Sequence, residues 1–430
     1  MMSNKNHWLT TTSLTASVVF GLVLGACGGD GEILPPGELV RSSLDRGLAP
    51  DVSAEQQSAL IAGNTQFALD AYHEFGKQSG NVFYSPLSIS TALAMTYGGA
   101  RGNTESQMAD ALHYDLPQAE LHKAFNWLDL ELDSRGQSDG GKGFQLSIAN
   151  ATFGQIGYAF LPEYLDLLGV DYDAGMSLLD FMKDAEGSRK AINNWVGKVT
   201  AGKIPDLLPS GVIEPSTRLV LTNAVYFKAA WKTPFDENAT ASATFHALDG
   251  DLTVPMMNGL PDGMGYASGE DYQAASLPYK GDELDMVLIM PSEGNFATFE
   301  AGLDAGKLAE ILSALGPGEY GAVAMPKFEF RFKADLVDMF QTMGMTDAFT
   351  GAADFSGMDG TKNLSITDIV HEAFVNVNEA GTEAAAATAV VVGETSAPQT
   401  LVIDRPFLFL IRDIQTGAIV FLGRVTNPSA

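Results

Sequence analysis

The hydrophobic and polar positions of this chain follow two different periods along its length. Residues 66–75 and 184–199 repeat their apolar positions with the period of an amphipathic helix, and the second pattern ends near Gly202. Residues 284–290 are almost continuously apolar and stop at Pro291, as expected of a buried strand. These segments do not alternate as the βαβ units of a parallel sheet do. The pattern therefore predicts an α+β architecture.

Three further strands are predicted near the C-terminus. Residues 366–378 alternate apolar and polar side chains, which is typical of a half-buried strand. Residues 401–411 are mostly apolar, with Pro406 near the start, where a missing backbone donor is tolerable, so we expect one buried strand there. Residues 413–417 then predict a turn, and residues 418–423 predict a returning strand.

A segment of small residues is suspended between the first two of these C-terminal strands. Residues 384–388 carry very little side-chain bulk, and three valines follow at residues 390–392. The segment 384–392 contains none of the Gly, Pro, Asn, Asp or Ser residues that turns favour. Alanine is also the best helix former, so a helix or a permissive linker is an alternative interpretation. Side chains this small would equally allow the segment to enter a sheet as an additional strand.

Five blocks of sequence stand out along the chain: residues 81–89, 221–231, 325–328, 353–357 and 401–411. They resemble blocks of the serpins, the serine protease inhibitor superfamily, in the same order and with matching spacing. The resemblance implies that residues 54–430 form a serpin domain. We therefore expect an α+β serpin fold, with a large central, mostly antiparallel sheet, surrounding helices, further sheets and an exposed reactive-centre loop.

The resemblance identifies the small-residue segment as the reactive-centre loop, which a protease cleaves, and its first part as the hinge. The hinge residues are Glu379, Gly381, Thr382, Glu383, Ala384, Ala385, Ala386, Ala387 and Thr388. Counting forward from Gly381 and back from Phe407 with the family's commonest loop length gives the same cleaved bond, Thr395–Ser396. A shift of one residue would give Glu394–Thr395 instead.

In the serpin mechanism the cleaved loop inserts into the central sheet as a new strand, which here would be residues 382–395. Fourteen residues at about 3.3 Å each span roughly 46 Å, enough to carry an attached protease across the molecule. Strand side chains alternate between faces, so one face would carry Thr382, Ala384, Ala386, Thr388, Val390 and Val392. Glu383, the only charged residue between 382 and 392, falls on the opposite face. The resemblance thus implies a suicide-substrate inhibitor of serine-type endopeptidases.

Other residues match positions that serve loop insertion in the family. The shutter, a polar cluster beneath the opening sheet, corresponds to Ser85, Ser88, Asn223 and His371. Buried polar groups must be hydrogen-bonded, and a network that can be remade would let two strands part. Lys327 and Glu379 match a pair at the top of the sheet, the breach, near Trp231. His371 is equally well explained as a hydrogen-bonded core histidine.

No catalytic constellation stands out, so we expect an inhibitor and not an enzyme, without cofactor or metal. The six histidines form no metal-binding pair with an acidic companion, and the Gly-x-Ser-x-Gly nucleophile motif is absent. The small, β-branched Thr395 favours an elastase-like or subtilisin-like target, whereas Glu394 would favour a glutamate-specific protease. Some serpins do not inhibit, so a carrier or chaperone is an alternative function.

The N-terminal residues resemble a bacterial lipoprotein leader. Residues 14–24 are mostly apolar but short for a membrane span, and small residues precede Cys27, the only cysteine. We expect residues 1–26 to be a signal peptide and Cys27 to carry a lipid, with residues 27–53 as a flexible tether. The protein would then be exported and anchored in the cell envelope, at the outer membrane or cell surface, or be extracellular. An ordinary signal peptide and a lipid-anchored solute-binding protein are alternatives.

The net negative charge of the chain argues against some classes of binding partner. The sequence has 53 acidic and 25 basic residues, a formal net charge of −28, and 46% hydrophobic residues. Nucleic acids and heparin-like polyanions bind basic surfaces, so the acidity argues against both. It also suits a soluble globular surface with no special partner. We expect a monomer whose main partner is a serine protease, joined to it as a covalent acyl complex.

Overall fold

The computed structural model describes residues 33–135, 144–318, 320–382 and 399–430. Residues 34–430 group as one compact unit that contains both helices and sheets. The α-helices of the described residues are α1 (Ala54–Gly76), α2 (Pro86–Tyr97), α3 (Gly102–Leu112), α4 (Gln118–Asp133), α5 (Pro162–Tyr172), α6 (Ala185–Val199), α7 (Phe296–Ala301), α8 (Ala305–Ala314), α9 (Val337–Thr342) and α10 (Ser356–Asp359). Short 3₁₀ helices span Glu237–Ala239 and Asp347–Phe349.

The largest sheet among the described residues has seven strands. In spatial order they are β1 (Glu38–Val40), β4 (Met176–Leu179), β3 (Phe144–Gln155), β5 (Leu219–Ala230), β14 (Gly381–Thr382), β13 (Asp368–Asn378) and β12 (Phe328–Asp335). Most neighbours are antiparallel, but β3 pairs with β4 in parallel, and so does β5 with β13 beyond the end of β14. The predicted large, mostly antiparallel sheet is confirmed.

Two smaller sheets complete the described part of the chain. One contains β2 (Val82–Tyr84), β17 (Ile419–Val425), β16 (Phe407–Asp413), β10 (Leu284–Pro291), β9 (Tyr272–Pro278) and β8 (Gly265–Ser268), in that order. The other contains β15 (Gln399–Val402), β11 (Tyr320–Pro326), β7 (Gly250–Gly259) and β6 (Ala241–Ala247). The α+β architecture predicted from the sequence is therefore confirmed.

Several elements follow directly from local sequence signals. The side chain of Asp184 accepts a hydrogen bond from the Gly187 amide at 2.9 Å and caps α6, which matches the predicted amphipathic helix. Ser53 and Gln56 form a capping box that starts α1. The apolar run at 284–290 forms β10, which is buried along its whole length.

Part of the large sheet is covered on both faces, which corrects the prediction of a half-buried strand at 366–378 for the middle of that strand. One face packs on the main core, and the other packs against α6, whose Ile192 and Val196 belong to the same buried cluster as Val220 of β5 and Val370 of β13. Glu372, in the middle of β13, is therefore also enclosed and only 6% exposed, whereas Asn376 and Asn378 near the end of the strand are half-buried. Alternation of apolar and polar residues marks one apolar face, but it does not reveal that a helix covers the other.

The predicted single strand at 401–411 is wrong. The chain forms β15 up to Val402 and resumes as β16 at Phe407, in a different sheet. Pro406 has no amide hydrogen to donate and biases the residue before it towards extended geometry, so the ladder breaks at the crossing between sheets. The amide of Ile403 still donates to Ala324 O at 2.8 Å, which guides the crossing chain along β11.

The predicted flexible tether is wrong for the part of residues 27–53 that the structure describes. Residues 38–40 pair antiparallel with β4 as an edge strand of the large sheet. The Arg46 guanidinium contacts Asn126 of α4 at 2.9 Å, and the Gly47 amide donates to Val170 O at 2.9 Å. The partners lie far along the chain, so the Gly- and Pro-rich local sequence could not indicate this docking.

Candidate functional site

The large sheet contains a fork where a short strand enters between two longer ones. Thr382 of β14 pairs with Ala229 of β5 on one side and with Val377 of β13 on the other. Farther along, β5 and β13 pair directly with each other, with His371 opposite Asn223. We call the fork β14 together with residues 229–230 of β5 and 377–378 of β13. The predicted hinge residues Gly381 and Thr382 thus already belong to the sheet.

Gly381 is required at the fork by both conformation and space. Its φ angle is +148°, in the range that disfavours side chains. A Cβ atom at this position would lie 2.1 Å from the carbonyl oxygen of Ala229. The absence of a side chain therefore lets the backbone of β14 approach β5 closely enough to pair with it.

Glu379 holds the chain just before the fork. Its carboxylate is 2.7 Å from Nζ of Lys327, and it accepts a hydrogen bond from Oγ1 of Thr240 at 2.7 Å. Its backbone oxygen accepts from the Phe235 amide at 2.8 Å. Burial raises the pKa of Glu379, but the bonds from Lys327 and Thr240 outweigh it, so the net pKa lies below the ordinary value. The predicted Lys327–Glu379 pair is formed, and Thr240 is a partner that the sequence did not indicate.

Trp231 and Tyr279 form the aromatic wall of the fork. The indole Nε1 of Trp231 donates to Asn378 O at 3.0 Å, and its backbone amide donates to Ala380 O at 3.1 Å. The rings of Trp231 and Tyr279 are stacked, with centroids 4.7 Å apart and planes at 5°. The predicted position of Trp231 near the Glu379 pair is therefore what the structure has.

Three of the four predicted shutter residues meet where β5 and β13 pair directly with each other. Nδ2 of Asn223 donates to Oγ of Ser88 and to Oδ1 of Asn150, both at 2.7 Å, and Oδ1 of Asn223 bonds Nδ1 of His371. Ser85 does not join these side chains. Its hydroxyl donates to Val420 O at 2.7 Å and accepts from the Ser88 amide, so it caps α2 and ties it to β17.

His371 is neutral and incompletely hydrogen-bonded. Its side chain is fully buried, and burial lowers its pKa to about 3. Nε2 of His371 has no hydrogen-bond partner among the described residues. A buried polar atom without a partner is rare and needs an explanation. Asn150 completes this cluster; it is one of several polar residues in β3, so the sequence gave no reason to single it out.

Part of the predicted site lies outside the described residues. This applies to the lipidation residue Cys27, to the cleaved bond Thr395–Ser396 and to six hinge residues. Those hinge residues are Glu383, Ala384, Ala385, Ala386, Ala387 and Thr388. The described chain resumes at β15, which pairs in parallel with β11 of the four-stranded sheet. The two described ends of the loop therefore belong to different sheets.

The described ranges contain neither a metal-binding cluster nor a helix suited to span a membrane. Those residues contain no group of three or more His, Cys, Asp or Glu side chains arranged to hold a metal ion. None of the helices in the same ranges has both the length and the apolar character that a membrane span requires.

Comparisons with known proteins agree on one family. The model of the family described as Serpin (serine protease inhibitor) matches residues 62–428. A serpin-like protein of Thermococcus kodakarensis is 40% identical over 378 residues, covering 87% of this chain and 87% of the relative. The leukocyte elastase inhibitor of Sus scrofa is 40% identical over 384 residues, covering 86% of this chain and 99% of the relative.

A solved structure gives the same result. The native state of a thermophilic serpin, tengpin, superposes with a TM-score of 0.79 at 26% identity, covering 90% of this chain and 97% of that chain. The family description states serine protease inhibition, and the name of the Sus scrofa relative states inhibition of an elastase.

Proposed function

The chain belongs to the serpin family and has the serpin fold, and from that premise we propose that it inhibits serine-type endopeptidases as a suicide substrate. The observation that carries the proposal is the register of β5 and β13. At the fork, Thr382 lies between Ala229 and Val377, whose numbers differ by 148. Where the two strands pair directly, Asn223 lies opposite His371, and their numbers also differ by 148. The two strands can therefore separate sideways, without sliding, to admit the rest of the loop.

The first step is ordinary peptide-bond attack by the protease. The serine oxygen of the protease adds to the carbonyl carbon of Thr395, and the bond to the nitrogen of Ser396 breaks. The amine of Ser396 leaves with a proton from the protease's histidine, and an ester between Thr395 and the protease remains. With cleavage one residue earlier, the same step would leave the ester on Glu394.

The second step is insertion of residues 382–395, and the register of β14 assigns its contacts. If that register continued, Thr388 would lie opposite both His371 and Asn223, and Val391 would lie opposite Asp368 and Val220. Residues 392–395 would then pass beyond the paired parts of the two strands. Insertion in this register moves the esterified protease along the sheet before water can hydrolyse the ester.

The shutter supports this register. Thr382 faces the main core and is fully buried, so residues 384, 386 and 388 would face the core as well. Thr388 would arrive beside Nε2 of His371, the buried atom without a partner. A threonine hydroxyl can donate or accept there. When β5 and β13 separate, the hydrogen bond between Asn223 and His371 would be lost, and a bond to the inserted strand would replace it.

The opposite face of the inserted strand would be exposed to solvent along only part of its length. Residue 383 would lie between Lys228 and Asn376, which are half-buried. Residue 387 would lie between Ala224 and Glu372, which are both buried, and Ala224 belongs to the buried cluster that contains α6. Small side chains are therefore needed on both faces beyond residue 383, and the alanine run supplies them.

For the target, we propose an elastase-like or subtilisin-like protease. Thr395 is small, and the leukocyte elastase inhibitors among the relatives support this class. A glutamate-specific protease would indicate cleavage after Glu394.

For the location, we propose export by residues 1–26 and lipid attachment at Cys27, at the outer membrane or cell surface. The protein would act as a monomer, with no polyanion partner. Its net charge of −28 supports the absence of a heparin-type site.

The test is to incubate residues 34–430 with a panel of serine proteases and to resolve the products on a denaturing gel. The proposal predicts a covalent complex and a released C-terminal fragment that begins at Ser396. Cleavage of the loop without any complex would overturn inhibition and favour a non-inhibitory carrier or chaperone. A fragment that begins at Thr395 would move the cleaved bond to Glu394.

A further inference from the structure

Tyr279 contacts the first inserted residue of the loop. Its hydroxyl lies 2.7 Å from Oγ1 of Thr382, and both residues are buried, at 1% and 0% exposure. The two hydroxyls form a hydrogen bond in which either can donate. Tyr279 lies in neither of the two strands between which β14 enters, so this bond ties the loop to a third part of the fold.

The Tyr279 hydroxyl is held in place by its surroundings. The Tyr279 amide donates to Leu284 O at 2.9 Å, which closes the turn between β9 and β10. Its ring stacks on Trp231, and the ring of Phe227 packs edge-on at 5.4 Å. The hydroxyl is therefore presented to Thr382 by a ring that cannot easily move. Burial raises the pKa of Tyr279, so the hydroxyl stays protonated.

Either member of this pair would suffer without the other. Because both hydroxyls are buried, removing one leaves the other without its partner, which is more costly than removing both. If Thr382 left the sheet, the Tyr279 hydroxyl would likewise lose its hydrogen-bond partner. The bond therefore favours the state in which Gly381 and Thr382 are already paired with β5 and β13.

We propose that Tyr279 is a positioning residue that holds Thr382 in the sheet, so that loop insertion starts from a formed strand end. The inference rests on the proposed function, because it concerns the race between insertion and hydrolysis of the acyl-enzyme. Ordering the first residues of a strand costs conformational entropy. With Thr382 anchored before cleavage, the loop has only to extend an existing strand.

The test uses Tyr279→Phe, Thr382→Val and the double variant. Each single change leaves one buried hydroxyl, whereas the double change leaves two apolar groups of similar shape. The first measurement is hydrogen exchange of the Gly381 and Thr382 amides in the intact protein. We expect exchange to be about two- to tenfold faster in each single variant and close to wild type in the double variant.

The second measurement is the number of inhibitor molecules consumed for each protease trapped. We expect this ratio to rise in both single variants and to return towards wild type in the double variant, with cleavage at an unchanged bond. A residue that merely supports the fold would not produce this reversal.

Unchanged exchange in the single variants would overturn the anchoring of Thr382. Altered exchange with an unchanged ratio would overturn the role in insertion. If the wild-type protein itself traps no protease, the proposed function fails and the role in insertion fails with it. The exchange measurement still decides, in that case, whether Tyr279 holds the loop.

Discussion

The substitution Thr388→Arg tests the proposed register in a single position. Before cleavage the change lies in the loop. After insertion in the register of β14, the guanidinium would lie beside His371 and Asn223, which are 0% and 1% exposed. His371 is neutral there, because burial lowers its pKa to about 3, and Ser88 and Asn150 carry no charge either. The inserted arginine would therefore have no anionic partner in the shutter.

The expected magnitude follows from burying an unpaired charge, which costs about 3–5 kcal/mol. Each 1.4 kcal/mol is about a factor of ten in rate, so passage of residue 388 into the sheet should slow by roughly two to three and a half orders of magnitude. The acyl-enzyme would then be hydrolysed before insertion is complete. The protein should become a substrate: cleaved at the same bond, with free protease recovered.

The matched control is Glu383→Arg, which places the same side chain between half-buried Lys228 and Asn376, where it can reach water. The assay compares covalent complex with cleaved inhibitor on a denaturing gel, with sequencing of the released fragment. We expect Glu383→Arg to retain most of the complex and Thr388→Arg to lose it. Equal trapping by both variants would refute the register or the insertion mechanism.

Three further outcomes are expected. Gly381→Ala should destabilise the intact protein in urea by about 1–3 kcal/mol more than Gly250→Ala, because both have positive φ but only Gly381 would force a Cβ against Ala229. Equal losses would show that the fork tolerates the side chain. His371 has a lowered pKa, so its contribution to stability is complete above about pH 6.5 and is lost as the pH falls towards 3, at about 1.4 kcal/mol per pH unit. Unfolding of His371→Gln should therefore be less acid-sensitive than wild type by about 2 kcal/mol between pH 6 and 4, and parallel pH profiles would contradict this. Cys27→Ser should release the protein from the membrane fraction, and unchanged fractionation would rule out lipid attachment there.

Local sequence signals were enough to predict those helices and strands that do not depend on distant partners. The Asp184 cap and apolar period of α6, and the apolar run of β10 that ends at Pro291, each specify one element by themselves. The shutter and the Lys327–Glu379 pair were also predicted, but from the resemblance to serpins. No periodicity in the sequence brings Ser88, Asn223 and His371 together.

The elements that the sequence did not predict depend on distant partners. Residues 38–40 form a strand only because they pair with β4 at the edge of the large sheet. Residues 401–411 form two strands because they belong to two different sheets. The Tyr279–Thr382 bond joins residues 103 positions apart, each of which is unremarkable in its own stretch of sequence. Long-range contacts of this kind are properties of the assembled fold, not of a local pattern.

The central claim is that the cleaved loop becomes a strand between β5 and β13. The most direct measurement is to nick the loop within residues 390–395 and compare the melting temperature of the nicked and intact proteins. We expect a large increase on nicking, because residues 383–391 would gain backbone partners on both strands and the intact protein would be only kinetically trapped. An unchanged or lower melting temperature of the nicked protein would contradict insertion.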